Sequence, residues 1–315
     1  MKNLPVIAVA ALCATAASAH GDECKIAQMD TFQPQHEHVA LARSKNLDAG
    51  ANFILYQAKL RVNTDGAPTS YHPEDPRGNT KAINNGVNGI SISKHGASLS
   101  YGDKIKAFEA FRDGNWAVPD GYRIKWQNVI APTTVAGKTV PCVFSTGDFK
   151  GYFGSLTTLK NGLSSADAGE CQVNDQLDQR FIPGLVLPGG VTPVISLGGG
   201  IGDIAIAINP ETGKTVAAVV ADGGPPDNLG EGSVALNMAL LGKTTLPVTY
   251  AEAKKLDTNQ VQMIVAIIPA SRDYELERPY SAENLKSRLT KWAVSHGYTS
   301  LNGLAQSVRT CAGKL

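Results

Sequence analysis

Residues 204–242 read IAIAINPETGKTVAAVVADGGPPDNLGEGSVALNMALLG and carry the densest strand signal in the chain. The apolar runs 204–208 and 214–221 flank the turn-forming residues NPETG, which predicts a β-hairpin. The next residues, DGGPPDN, cannot be helical because two prolines interrupt them. From Glu231 onward the residues favour a helix that ends at Gly242. This segment therefore predicts two buried strands, a loop and a helix.

The sequence on either side predicts more strands than helices. Strands are expected at 53–62, 89–93, 116–118, 122–130, 185–187 and 261–268. Helices are expected at 39–45, between the N-cap Ser281 and the stop at Gly297, and over the apolar stripe of residues 301–311. The fold class is therefore mainly β or α+β, with added helices at the C-terminus.

The composition is that of an ordinary globular protein. The 315 residues are 43% hydrophobic and 18% charged, which excludes a disordered chain, collagen and a coiled coil. Lys and Arg number 29 against 28 Asp and Glu, with no run of like charges. Neither a nucleic-acid-binding face nor a membrane-binding face is indicated, and we expect a monomer.

The first 19 residues have the pattern of a signal peptide. Lys2 precedes an apolar run at 4–16, and the small residues Ala17, Ser18 and Ala19 follow it. The run is shorter than the roughly 20 residues that a membrane-spanning helix needs. We therefore expect export, cleavage near Ala19 and a secreted or periplasmic protein.

Four cysteines follow the predicted signal peptide, and an exported protein favours their pairing. They are Cys24, Cys142, Cys171 and Cys311. Three pairings are possible. We favour Cys142 with Cys171, which closes a Gly/Ser-rich segment, and Cys24 with Cys311, which joins the two ends of the chain. No C-x-x-C motif is present, so a zinc or redox site of that kind is not indicated.

Asp222 and Glu231 are the leading candidates for catalysis. One follows an apolar strand, the other opens the predicted helix, and a Gly/Pro-rich loop separates them. Two carboxylates at one edge of a sheet can hydrolyse a glycoside, because one protonates the leaving oxygen while the other activates water. The structural alternative is that Asp222 is a turn residue and Glu231 a helix-start residue favoured by the helix dipole.

Several motifs occur in order along the chain: Ile182-Pro183, Val186-Leu187-Pro188-Gly189, Gly202-Asp203 before the hairpin, Ala221-Asp222-x-Gly224-Pro225 and Gly230-Glu231-Gly232-Ser233. Together they resemble the chitosanases of glycoside hydrolase family 75. Residues 122–134, Asp65-Gly66 and Tyr71-His72-Pro73 are similar to earlier family blocks, so the resemblance covers about 50–245. Gly223 and Pro225-Pro226 differ from the commonest fungal form.

The resemblance implies endo-hydrolysis of β-1,4 links in chitosan, with inversion, by Asp222 and Glu231. By analogy of the hairpin and its Gly-Asp and Asp-Gly-Gly loops, we expect a double-psi-type β-barrel. The chain then divides into a signal peptide (1–19), a lead-in (20–50), a chitosanase-like domain (51–245) and C-terminal elements packed on it (246–315). A charged Glu231 at a helix start suits a base and a desolvated Asp222 suits an acid, but the resemblance leaves these roles open.

Chitosan carries positive charge in mildly acidic solution, so its cleft is expected to concentrate carboxylates. Asp65, Asp203 and Asp227 are the candidates for substrate binding, since each lies in a turn beside a matching block. The alternative for each is a turn-capping aspartate.

Other chemistries have weaker sequence support. A cleaved N-terminal His20 is the arrangement of copper-dependent polysaccharide monooxygenases, but no second histidine lies in a recognisable block. No G-x-S-x-G occurs, and the Gly-rich run at 198–202 precedes a strand instead of following one. We expect no metal and no cofactor. The alternative function is a secreted, non-catalytic carbohydrate- or wall-binding protein.

Overall fold

The computed structural model describes residues 24–32, 39–46, 52–162 and 171–315. The predicted signal peptide, with its cleavage site, and the candidate copper ligand His20 lie outside the described residues.

Strands form most of the regular structure. They are β1 (Cys24–Phe32), β2 (Val39–Asn46), β3 (Asn52–Ala58), β4 (Arg61–Asn63), β5 (Ser91–Lys94), β6 (Ala97–Ser98), β7 (Tyr122–Lys125), β8 (Pro132–Val135), β9 (Lys138–Pro141), β10 (Gly184–Pro188), β11 (Ile204–Ile208), β12 (Thr215–Gly224), β13 (Glu231–Ser233) and β14 (Met263–Ile267). The helices are α1 (Gly86–Gly89), α2 (Tyr101–Asp113), α3 (Pro193–Ser196), α4 (Val234–Leu241), α5 (Tyr250–Lys254), α6 (Ala282–Ser295) and α7 (Leu301–Ala312).

Within the described residues, nine strands form one sheet in the order β1-β2-β3-β14-β11-β12-β10-β13-β4. Neighbouring strands run antiparallel except for the pairs β10–β12 and β13–β4, which are parallel. The smaller sheets are β6-β5-β7 and β8-β9. The prediction of a mainly β or α+β protein is confirmed. The pairing of the described strands does not close the large sheet into a barrel.

Helices cover both faces of the sheet centre, which explains its wholly apolar strands. Ile204, Ile206 and Ile208 pack with residues of α6 and α7, whereas Ala205 and Ala207 pack on the other face with residues of α3 and α4. Side chains alternate along a strand, so an uninterrupted apolar run fills both layers. The predicted hairpin is present, with Ile204 opposite Val219.

The C-terminal helix prediction is also confirmed. Ser281 caps α6: its hydroxyl accepts a hydrogen bond from the Asn284 backbone N–H, and the Asn284 side-chain oxygen accepts one from the Ser281 backbone N–H. Trp292 on this helix packs edge-on against Phe53 of β3, with ring centroids 5.8 Å apart. These contacts fix α6 on the centre of the sheet.

Two predictions at the start of the chain are wrong. Residues 39–45 belong to the strand β2 instead of a helix, since pairing with β1 and β3 on both sides outweighs local helix propensity. The strand expected at 53–62 is two strands: β3 pairs with β2 and β14, and β4 lies at the far edge beside β13.

Two further predictions need correction. The strand predicted at 116–118 is not formed, because Trp116 lies in a turn with a φ of +63°. The helix α2, which precedes this turn, was not predicted. Glu231 does not begin a helix, because it lies in β13 and α4 starts at Val234 with Ser233 as its N-cap. The loop therefore ends in a strand, and the helix dipole does not act on the Glu231 carboxylate as expected.

Both predicted disulfides are present. Cys24–Cys311 joins β1 to α7, and Cys142–Cys171 closes the segment that follows β9. Such bonds fit an oxidising compartment. Among the described residues, no helix is both long and apolar enough to span a membrane.

Removing either disulfide should lower the free energy of unfolding, and the two losses should differ in size. The bonds close loops with sequence separations of 287 and 29 residues, and a longer loop restricts the unfolded chain more. We expect Cys24→Ala with Cys311→Ala to lower the free energy of unfolding by about 5 kcal/mol, and the other double variant by about 3 to 4 kcal/mol. Urea titration of both variants measures this. A larger loss from the short loop would contradict it.

Candidate active site

The register of three strands places Asp222 and Glu231 in one row. Val186 of β10 lies opposite Asp222 on one side and opposite Glu231 on the other. Paired residues project from the same face of a sheet. With strands about 4.8 Å apart, the two Cα atoms are about 9 to 10 Å apart. The structure thus brings the two predicted residues together, with one strand between them.

A cavity of about 1300 Å³ opens over this row. Its described lining includes three carboxyl groups, from Asp65, Asp222 and Glu231. The basic side chains in the same lining are Arg61, Lys104 and Lys254. The cavity is therefore polar and balanced in formal charge, instead of strongly acidic.

Asp222 lies near the end of β12 and receives several donors on one oxygen. Its Oδ1 accepts from the Thr158 backbone N–H (3.0 Å), the Thr158 hydroxyl and the Gly223 backbone N–H (2.8 Å). Burial raises the pKa of the carboxyl, and these donors oppose that rise by stabilising the charged form. Asp222 accepts three hydrogen bonds, more than the side chain of Glu231 or Asp65 accepts here, so its charged form receives the most hydrogen-bond support of the three carboxyl groups.

Glu231 is held by two amide side chains. Asn63 donates to Oε2 at 3.3 Å, and Asn228 donates to Oε1. Burial raises the pKa of Glu231; the two amides and Arg61 oppose this, and the charge of Asp222 adds to the rise. Gly230 precedes it with a φ of +95°, a conformation that glycine adopts at no steric cost.

Asp65, one of the three residues predicted to bind substrate, lies in the lining of the same cavity. Its Oδ1 accepts from the Tyr71 hydroxyl at 2.7 Å, and its backbone N–H donates to Asn63 Oδ1 at 2.9 Å. Burial raises the pKa of this carboxyl to about 7, the Tyr71 bond opposes the rise, and the charges of Asp222 and Glu231 add to it. Asp65 therefore retains a proton to higher pH than an ordinary aspartate.

The structure places the other two predicted binding residues outside the described lining of the cavity. Asp203 is completely buried and accepts from the backbone N–H groups of Gly200 (2.9 Å) and Ser271 (3.0 Å), so it holds two loops together. Asp227 is half-buried in the loop between β12 and β13. Each was predicted to bind substrate because it lies in a turn beside a matching motif. Neither property shows whether the side chain faces a cavity or the interior.

Sequence analysis missed several residues around the pair. Asn63, Thr158 and Asn228 donate to the carboxylates, and Tyr71 donates to Asp65. Of these, Tyr71 had one available signal, its place in a motif that resembles a chitosanase block, but the motif did not indicate that the tyrosine hydroxyl contacts Asp65. Asn and Thr in loops are too common for the sequence to single them out.

The described residues include no group of three His, Cys, Asp or Glu side chains arranged to hold a metal ion. No protein-family model matches the chain, and no curated protein is significantly similar to it in sequence.

The raised pKa of Asp65 should appear in the pH dependence of stability. A carboxyl that binds its proton more tightly when folded stabilises the protein less as pH rises from about 4, the unfolded value, to about 7. Asp65→Asn removes that dependence. Relative to wild type, the variant should therefore gain stability as pH rises through this window.

Urea midpoints measured from about pH 4.5 to about pH 7, between the unfolded and folded pKa values of Asp65, test this expectation. Asp120→Asn is the matched control, because Asp120 is exposed and lies outside the cavity lining. A constant difference between Asp65→Asn and wild type at every pH would contradict the raised pKa.

Proposed function

We propose that this chain is a secreted, endo-acting glycoside hydrolase that cleaves β-1,4 links of chitosan or a related amino-sugar polymer with inversion. The observation that supports it best is the row in which Val186 separates Asp222 from Glu231 beneath one cavity. The ordered motifs at 182–233 add the family resemblance. A double-psi barrel topology remains a prediction from the analogy of the hairpin and its Gly-Asp and Asp-Gly-Gly loops.

The spacing of the pair favours inversion. Carboxyl groups of inverting enzymes lie about 6.5–9.5 Å apart, which leaves room for water, and those of retaining enzymes about 5 Å apart. Carboxylates on adjacent strands would fall near the shorter value. Asp222 and Glu231 lie two strand spacings apart, which suits the longer one.

The contacts favour Asp222 as base and Glu231 as acid, the reverse of the roles suggested by a helix start at Glu231. The donors on Oδ1 of Asp222 oppose the rise in pKa that burial causes, so we assign Asp222 as the base, whose Oδ2 accepts a proton from the attacking water. Burial raises the pKa of Glu231 and the Asp222 charge adds to the rise, so we assign Glu231 as the acid that gives a proton to the leaving oxygen.

The charge of the cavity lining favours a polymer with few positive charges. Arg61, Lys104 and Lys254 balance the carboxyl groups in the described lining, although Lys254 also pairs with Asp257. A fully deacetylated, polycationic chain would meet as much repulsion as attraction there. A partly N-acetylated polymer, with fewer positive charges, fits this lining better.

The alternative, a non-catalytic protein that grips a cationic polymer, has less support. Such a grip is strongest when the carboxyl groups are exposed enough to be fully charged. Here burial shifts the pKa values of Asp65, Asp222 and Glu231 upward, toward the protonated form. That shift weakens a simple ionic grip but is useful for transferring protons.

Purified protein should release reducing ends from chitosan, and faster from partly acetylated samples than from fully deacetylated ones. Proton NMR of the first products should show the α-anomer, because inversion at a β-linked carbon produces it. A β-anomer would overturn the inverting mechanism. Binding without any release of reducing ends would favour the alternative function.

Asp222→Asn and Glu231→Gln should each lower kcat by about a hundredfold or more, since acid or base assistance is worth that much. Both changes preserve shape, so the melting temperature should stay close to wild type. Asp120→Asn, in an exposed loop, serves as the control with normal turnover. Near-wild-type kcat in either site variant would show that its carboxyl does not take part.

A further inference from the structure

A second cavity, of about 440 Å³, adjoins the cavity that opens over the row of Asp222, Val186 and Glu231, which we call the carboxyl row. We call this second cavity the side pocket. It is lined by Trp126 and Gln127 and by four residues that also line the larger cavity, Asn88, Ser91, Asn128 and Val129. Because the two cavities share these residues, a polymer that lies over the carboxyl row can continue into the side pocket.

The turn that follows β7 forms the outer wall of the side pocket. The Trp126 carbonyl accepts from the Val129 backbone N–H at 3.0 Å, which closes this turn. Gln127 and Asn128 lie at its tip, and both are exposed. Pairing of β7 with β5 sets the turn beside Ser91, at the start of β5. The outer wall therefore consists of polar side chains on a closed turn.

Hydrogen bonds connect the inner wall of the side pocket to the larger cavity. Asn88 Nδ2 donates to Asn84 Oδ1 at 2.8 Å, and Asn84 Nδ2 donates to the Tyr71 hydroxyl at 3.0 Å. Tyr71 in turn donates to Asp65 Oδ1 at 2.7 Å. Asn88 Nδ2 also contacts the Tyr250 hydroxyl at 3.4 Å. Both amide hydrogens of Asn88 are thereby used, and its Oδ1 is the atom left to accept from a ligand.

The lining of the side pocket suits a neutral sugar that carries an acetamido group. Among its described residues Lys125 alone is charged, so the ammonium group of a deacetylated unit would meet repulsion and no carboxylate. The exposed amides of Gln127 and Asn128 can pair with the N–H and C=O of an acetamido group. Trp126, which is mostly buried, and Val129 supply an apolar surface for its methyl group.

We propose that the side pocket is a binding subsite for an N-acetylated sugar unit of the polymer. The proposal rests on the proposed function, because it is a polymer lying over the carboxyl row that reaches the side pocket. It assigns the preference for partly acetylated polymer to one place, separate from the groups that transfer protons. Binding of a unit remote from the cleaved bond can supply energy for holding the reacting unit in place.

The products of cleavage should record this subsite. The side pocket lies at a fixed place relative to the carboxyl row. Products from partly acetylated chitosan should therefore carry an acetyl group at one fixed distance from the newly made end more often than the polymer average. Mass spectrometry of end-labelled products measures this enrichment.

Gln127→Glu tests the charge argument with a change that preserves shape. The new carboxylate should attract an ammonium group, so the enrichment should fall. The ratio of kcat/KM on deacetylated chitosan to kcat/KM on partly acetylated chitosan should rise about twofold to fivefold, the effect of one exposed ion pair. Gln262→Glu is the matched control, because Gln262 is exposed and lies outside the described lining of both cavities. A product pattern and ratio in Gln127→Glu equal to those of the control would overturn the subsite.

A second measurement does not need turnover. In an Asp222→Asn background, calorimetric titration with the fully N-acetylated β-1,4 tetrasaccharide should show binding. Adding Gln127→Ala should weaken it by about twofold to tenfold, the effect of one hydrogen bond, whereas adding Gln262→Ala should not. Absence of binding, or equal affinity in the two variants, would overturn the subsite. Binding that changes as expected in a protein whose wild type releases no reducing ends would overturn only the proposed function.

Discussion

The pairing of β10 with two different strands is the constraint on which the candidate site depends. β10 runs parallel to β12 on one side and antiparallel to β13 on the other, and both pairings meet at Val186. A shift of one residue in either pairing would turn one carboxylate to the opposite face of the sheet. The loop between the two strands can therefore vary only within the limits that this double register allows.

All three carboxyl groups of the cavity lining are substantially buried. Each carboxyl loses hydration, and each is given donors that recover part of the loss: backbone and hydroxyl groups at Asp222, amides at Glu231 and a tyrosine at Asp65. The donors differ in number and in the oxygen they reach. Chemically similar groups therefore acquire different proton affinities within one small space, which a site for acid–base chemistry requires.

Local patterns predicted much of the fold and little of the site's detail. The 204–221 hairpin, the cap at Ser281 and the disulfides each depend on a few neighbouring residues or on pairing chemistry, so the sequence was sufficient for them. The strand at 39–46 depends on pairing with β1 and β3, the strands before and after it in the chain, and the residues of a short segment do not reveal that it pairs on both sides. Asp222 and Glu231 were identifiable by motif, whereas Asn63 acts only because β4 lies beside β13.

The place of β14 in the sheet has a consequence for how the chain can fold. β14 lies between β3 and β11, so strands from residues 52–58 and 204–208 meet only through a strand made at 263–267. The central sheet cannot be completed while the C-terminal fifth of the chain is still on the ribosome. Many of its contacts link distant residues, which makes folding slow. Until residues 263–267 are available, the strands at 52–58 and 204–208 lack the strand that joins them, so the central sheet is among the last parts of the described structure to become complete.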